Sequence, residues 1–429
     1  MVLVASRPLS QWLSPVLPQE SFTPSEGNPL DRAYFLALIL AGMAIILRRR
    51  HRLAGMPRRN LWLLLLYLYF LASTLWSDYP FVSFKRWFKD FGNVVMVLVL
   101  LSEQDPVLAV RTAFLRAGYL LVPLSVLFIK YIPELGRTYN QWTWQPQIVG
   151  VGTHKNELGT VVLVSSLFLF WHLLDLFGRQ RRMTPKKDLY LHGGLVCMVV
   201  YLFWAAGSVT SLLCAVFGVS LFSILRSPAG QRGYPRLELS GLAVVVIFSA
   251  LNALFNLNAV VLGLLGRDPT LTGRTEIWKL VLEADVDPLF GVGFYTYWMG
   301  GRAERVWEAG YAALNQAHNG YLETYLNNGL VGVGLLLVLL LTSYTALRSR
   351  ILAGGDDFDR IRLVLLLVLI TYNFTEAAFN RMGFIWFAGV LALLNSLPDQ
   401  PPARESTDPL DDMEDVTTLG HQALRSPWG

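Results

Sequence analysis

Cysteine is nearly absent: the 429 residues contain two, Cys197 and Cys214, and both lie inside apolar runs. A disulfide-stapled secreted scaffold is therefore excluded. Charge is also scarce, since Asp, Glu, Lys and Arg make up 16% of the chain while 53% is hydrophobic. Soluble domains carry about 25% charged residues. The net charge of +5 does not mark a nucleic-acid binder, because the basic residues cluster between apolar runs, where topology signals fall. Neither a phosphate-loop signature nor a Gly-x-Ser-x-Gly elbow occurs. The absence of an internal repeat argues against a secondary transporter built from paired halves.

What is abundant is apolar sequence of membrane-crossing length. Runs at 31–47, 61–76, 87–101, 108–129, 158–177, 189–206, 209–226, 239–266, 329–347, 363–377 and 381–397 predict an all-α polytopic membrane protein. It has about 11 or 12 transmembrane helices. Residues 1–30 form a polar, proline-rich segment that suits neither a span nor a cleaved signal peptide. Spans 1–8 occupy 31–266, a large loop follows at 267–328, spans 9–11 occupy 329–397, and an acidic tail at 398–429 reads as disordered. Lys and Arg concentrate in the connections 48–60, 178–188, 227–238 and 348–362, which predicts that these and the C-terminus are cytoplasmic. The loop 267–328 then faces outward, together with 77–86 and 130–157. It is too long for a connector, so it is expected to hold helices of its own and to carry function.

Of six histidines, His154 and His318 map to the outer face. An outer-face general base would be one of these two. His318 opens His318-Asn319-Gly320-Tyr321-Leu322-Glu323, and a short helix there would set Leu322 and Tyr325 on its stripe before Gly329 breaks into the next span. The plain alternative is an interfacial histidine bonded to a loop carbonyl. His154 belongs to Thr153-His154-Lys155-Asn156-Glu157, a run that could bind sugar or phosphate, or could cap the helix that follows. The outer arginines are Arg86, Arg137, Arg267, Arg274, Arg302, Arg305 and Arg381. A guanidinium fork suits a lipid pyrophosphate, and an ordinary headgroup is the competing partner. Trp278, four residues after Arg274, reads as an interfacial anchor beside the apolar stripe Ile277, Leu280 and Val281. No metal site is expected. Asp285-Val286-Asp287-Pro288 has the form of an Asp-x-Asp ligand pair but reads more simply as a helix-ending turn, and Gly291-Val292-Gly293 as a flexible one. Tyr295, Tyr297, Trp298, Trp142 and Trp144 are placed either to stack on sugars or to form an interfacial belt.

Three outer-loop motifs resemble the O-antigen ligase and polymerase superfamily. They are Gly-Arg-x-x-x-Trp at 273–278, Asp-Pro-Leu-x-Gly-Val-Gly-Phe at 287–294, and His-Asn-x-Tyr-Leu-Glu followed by Gly-Leu-Val-Gly at 318–332. The run His154 to Gly159 and the hairpin Ser208 to Leu213 look most like the exopolysaccharide repeat-unit polymerase branch. The resemblance implies a metal-independent, inverting glycosyltransferase without a cofactor, acting at the periplasmic face of the bacterial inner membrane. Its donor would be a glycan on undecaprenyl pyrophosphate and its acceptor a second glycan or a lipid, with membrane lipids and polysaccharide export machinery as partners. By motif, His318 would be the base, and Arg274, Arg86 and Lys155 would hold the pyrophosphate. His154, Asn156, Asn319, Glu323, Tyr295 and Trp298 would be candidate substrate contacts. The hairpin departs from many ligases, for Ser208-Val209-Thr210-Ser211 is not followed by arginine. A ligase acting on lipid A core and a polysaccharide or lipid transporter are the competing functions.

Overall fold

The computed structural model describes residues 29–139, 145–179, 186–255, 274–311 and 314–395. The chain divides into Met1–Asn395 and Ser396–Gly429. The second unit, with the expected acidic tail, lies outside the described residues, as do residues 1–28, Trp142, Trp144, Arg267 and Gly273.

The helices are α1 (Pro29–Arg48), α2 (Leu61–Ser73), α3 (Pro80–Leu101), α4 (Pro106–Tyr131), α5 (Lys155–Arg179), α6 (Lys186–Ala206), α7 (Val209–Arg226) and α8 (Pro228–Phe255). In the large loop follow α9 (Arg274–Leu282) and α10 (Gly301–Val306), and then come α11 (Gly320–Leu352), α12 (Asp357–Tyr372) and α13 (Phe384–Leu393). Among the described residues, helix occupies at least part of each segment read as a span, and residues 256–266 of the eighth lie outside them. Six of these helices, α1, α4, α5, α6, α7 and α11, are long and apolar enough to cross a membrane, while α2 and α13 are shorter apolar helices. Starts follow the capping rules: Pro80 and Pro106 sit in first turns, and Asp105 and Asp356 accept from the amides of Leu108 and Asp359 at 2.9 Å each.

Leucines on both faces explain why these helices need lipid rather than water. On α11, Leu336, Leu339, Leu340 and Leu347 are buried, while Leu330, Leu337 and Leu341 are exposed. Such all-round apolarity suits a membrane span. Inside the array, the Phe114 ring stacks on Phe168 at 4.0 Å and on Phe384 at 5.4 Å, which joins α4, α5 and α13. Gly218 lets α7 approach closely, for a Cβ there would lie 2.7 Å from Leu167. A larger residue at this position would cost about 1–3 kcal/mol in overpacking.

Several boundaries differ from the sequence expectation. Helix α3 starts at Pro80, so Arg86 lies within a helix rather than in an outer connector. Helix α12 ends at Tyr372 and α13 starts at Phe384, which leaves Glu376 and Arg381 in the connection between them rather than in spans. The segment after α4 carries a two-stranded antiparallel hairpin, β1 (Arg137–Tyr139) with β2 (Pro146–Ile148), while the other regular elements among the described residues are helical. A break in α11 at Gly329 (φ 61°) matches the expected interruption. Its stranded backbone groups are paired with the preceding loop, as Val292 and Gly293 donate to the Leu326 and Asn327 carbonyls and Leu330 and Val331 donate to Pro288 and Leu289. Gly291 (φ 68°) permits the approach, since a Cβ there would lie 2.5 Å from the Asn327 backbone. The Gly-Val-Gly sequence is therefore a fixed packing element and not a flexible turn.

Candidate functional site

Helix α9 presents Ile277 and Val281 to a small core that also holds Val292, Tyr297, Val306, Ala317 and Leu326. The apolar stripe read from the sequence is thus the seat of the loop. Trp278 is not only an interfacial anchor. Its indole donates to the Ala317 carbonyl at 2.7 Å, which ties the helix carrying Arg274 to the residue before His318.

Residues 315–318 are held from several sides. Arg381 donates to the Asn315 carbonyl and the Gln316 side chain, each at 3.0 Å. Buried Glu323 accepts from the Ala317 amide at 2.9 Å and from the Trp298 indole at 2.9 and 3.1 Å. His318 itself has φ 51°, a left-handed conformation unusual for a non-glycine residue. It therefore lies before α11 rather than on its stripe with Leu322 and Tyr325, contrary to the spacing argument. Asn319 forms the cap, its Oδ1 accepting from the Tyr321 and Leu322 amides at 3.0 Å each. Gly320 follows because a Cβ there would lie 2.0 Å from Asn373 Oδ1, and that oxygen accepts the Ala378 and Phe379 amides to shape the turn carrying Glu376.

Glu376 is the centre of the site. Its Oε1 accepts from Arg274 at 2.8 Å and from the Asn156 amide at 2.9 Å, and its Oε2 lies 3.1 Å from His318 Nδ1. The carboxyl side chain is 6% exposed. Burial works to raise its pKa, but the hydrogen bond from His318 and the charges of His318, Arg274 and His154 outweigh it and hold the carboxyl below the ordinary glutamate value. A carboxylate only accepts, so Nδ1 carries the shared proton and Nε2 is left as the basic nitrogen. Among the described residues, Nε2 makes no hydrogen bond. Three expected site residues, Asn156, Arg274 and His318, are thus brought together by a fourth that the sequence reading passed over.

A second cationic group lies beside them. Arg86 donates to the Tyr295 carbonyl, and the Arg381 guanidinium sits over the Tyr295 ring, 5.3 Å from its centroid. Tyr295 has φ 61°. Burial, and then the nearby Arg86 charge, push Arg381 down to about 10, which leaves it charged at neutral pH. Its Nε is buried without a partner among the described residues. His154 and Glu157 form a helix cap: the Glu157 amide donates to His154 Nδ1 at 3.2 Å, and Thr153 donates to Glu157 Oε2 from both its amide and its hydroxyl at 2.7 Å. Lys155 is exposed and makes no ion pair among the described residues. The Ser208 to Leu213 hairpin reaches the site through Thr210, whose hydroxyl meets that of Thr375 at 3.0 Å. Asp287 caps a turn, Oδ1 accepting from Leu289 and Phe290 at 2.8 Å each. Among the described residues there is no group of three or more metal-ligating side chains.

A helical multi-pass membrane protein with a polar cluster where its large loop meets the helix ends is the class that the fold and this geometry define. Residues 193–337 match the O-antigen ligase family. The exopolysaccharide production protein ExoQ of Rhizobium meliloti (strain 1021) is 29% identical over 327 residues, covering 73% of this chain and 71% of that protein. Both likenesses support the O-antigen ligase and polymerase superfamily.

Proposed function

We propose that this protein is a glycosyltransferase that polymerises lipid-linked repeat units of a surface polysaccharide at the periplasmic face of the bacterial inner membrane. The observation that carries the reading is His318, fixed through Nδ1 on Glu376 with Nε2 open, on the same carboxylate as Arg274. The relative named for exopolysaccharide production supports the polymer as product. In the reaction, the acceptor hydroxyl oxygen attacks the anomeric carbon of a glycan on undecaprenyl pyrophosphate while its proton passes to His318 Nε2. The bond from that carbon to the pyrophosphate oxygen breaks with its electron pair, and the configuration inverts. Pyrophosphate is a weak base, so its departure needs charge stabilisation rather than protonation. Arg274, Arg86 and Arg381 supply this as cations, with Lys155 at the exposed edge. Asn156 and Glu376 hold Arg274 and His318 in place, while Glu323, Trp298 and Asn319 fix the backbone that carries the base. Two large lipid-linked glycans held side by side gain further from proximity.

The family description favours one competing reading, a ligase that transfers finished glycan to lipid A core or another acceptor. Gene deletion separates them. Loss of a polymerase leaves single repeat units on the acceptor, and loss of a ligase accumulates long lipid-linked chains. Equal loss of every chain length counts against both. The direct test is purified protein in detergent with a defined lipid-linked repeat unit and sizing of the product; absence of longer products from a folded sample would sink the polymerase reading.

A further inference from the structure

At the end of the helical array away from His318, a cavity of about 580 Å³ opens between the chain just after α1 and the first turns of α4. Its place in the array follows from α5, which starts beside the Glu376 cluster at Asn156 and ends near Asp175, where it pairs with Arg111 of α4. Three arginines line it, Arg49, Arg52 and Arg116. Two are held by the wall: Arg49 Nη1 meets Glu103 Oε1 at 2.6 Å and Ser102 Oγ at 3.3 Å, and Arg52 Nη1 donates to the Ser102 carbonyl at 3.0 Å. Arg116 is exposed and makes no hydrogen bond or ion pair among the described residues.

The position of Arg116 is what demands an explanation. It lies ten residues into α4, about 15 Å along a helix long and apolar enough to cross a membrane. A guanidinium at that depth is costly unless it lines a polar cavity or finds an anion. Ala109, Thr112, Ala113 and Arg116 share one face of α4 and all line the cavity, so small side chains leave room in front of the guanidinium. The charges limit what fits. Glu103 is matched by Arg49, Asp105 is engaged as the α4 cap, and three arginines against two acids leave one positive charge. One singly charged phosphodiester balances this; a nucleotide polyphosphate would bring more negative charge than the three arginines offset.

We propose that this cavity binds the phosphodiester headgroup of an anionic membrane glycerophospholipid, with Arg116 pairing the phosphate and Arg52 and Arg49 at the mouth. Such a lipid would bridge α4 to the chain that follows α1, whose Arg49 and Arg52 contact Ser102 and Glu103 in the connection between α3 and α4.

The test uses the full-length protein purified in detergent, with thermal unfolding and native mass spectrometry as readouts. Added phosphatidylglycerol is expected to raise the unfolding temperature and leave one retained lipid per chain, and phosphatidylcholine is expected to do neither. Arg116→Gln should weaken this by about fivefold to tenfold, as one basic residue at an anionic lipid does. Because Arg116 has no protein partner, that variant should otherwise melt like the parent. Thr112→Trp, which fills the cavity without removing charge, should also prevent lipid retention. Equal stabilisation of parent and Arg116→Gln by phosphatidylglycerol would overturn the proposal, and so would an equal shift from inorganic phosphate or glycerol phosphate, which would mark a site for a free anion.

Discussion

Glu376 and Asp175 each gather arginine and histidine side chains at opposite ends of α5, about 28 Å apart by helix rise, but the two clusters are finished differently. Asp175 accepts from Arg111 at 2.6 Å and Arg226 at 3.2 Å, and Arg226 also meets Asp357 at 3.4 Å. Arg111 further donates to His172 Nδ1 at 2.9 Å, and His172 Nε2 lies 2.9 Å from His192 Nε2. Arginine only donates, so the His172 proton sits on Nε2 and points at His192. Every ring nitrogen of His172 is consumed. At the other end, Glu376 takes one nitrogen of His318 and leaves the second open. The same residue types therefore make a closed brace in one place and, in the other, the cluster proposed as the reactive centre, and the difference lies in one unsatisfied nitrogen.

Mutations can break or sharpen that contrast. The largest effect is expected for His318→Ala, which should reduce transfer by about 10² to 10⁴ while leaving the folded protein abundant, measured as turnover of purified protein. Glu376→Gln keeps the shape but loses the charge that orients His318, and turnover should fall about 10²-fold. Its pH signature is separate. The carboxyl is held below its ordinary value in the folded protein, so it stabilises the fold above the unfolded carboxylate pKa, and this contribution disappears as pH falls through the lowered one. Unfolding temperature followed from neutral to acid pH should show that decline in the parent and lack it in Glu376→Gln. Arg274→Lys replaces a fork with a point charge and should lower kcat/KM by about tenfold; parental kinetics would reassign Arg274 as scaffold. Asp175→Asn should leave transfer per folded molecule unchanged and cost about 1–3 kcal/mol in stability, read from thermal unfolding. A transfer defect there, with folding intact, would dissolve the distinction between brace and centre.

Much of this arrangement was legible from the chain. Apolar runs mark the helices, and Asn-Gly before a run broken by glycine marks the cap and the kink of α11. Glu376 was not legible, because a carboxylate just past an apolar run looks like any interfacial acid. Its role depends on partners 58, 102 and 220 residues away, which only tertiary packing brings together. Spacing likewise misplaced His318 on a helical stripe. Local periodicity describes a residue inside a helix, and His318 is held outside one by Glu376, with its neighbours fixed by Arg381, Trp278 and Glu323. Trp278 shows the same limit, since an indole at an interface and an indole locking two segments have identical sequence signatures.

The left-handed backbone of His318 implies a conflict between folding and activity at a single position. Glycine would adopt that conformation without strain, so the backbone at this position favours a residue that cannot accept a proton. His318→Gly should consequently be as inactive as His318→Ala yet melt at a higher temperature than it. Comparing the two variants separates backbone strain at this position from loss of the imidazole, because both lack the hydrogen bond to Glu376 and only glycine relieves the strain.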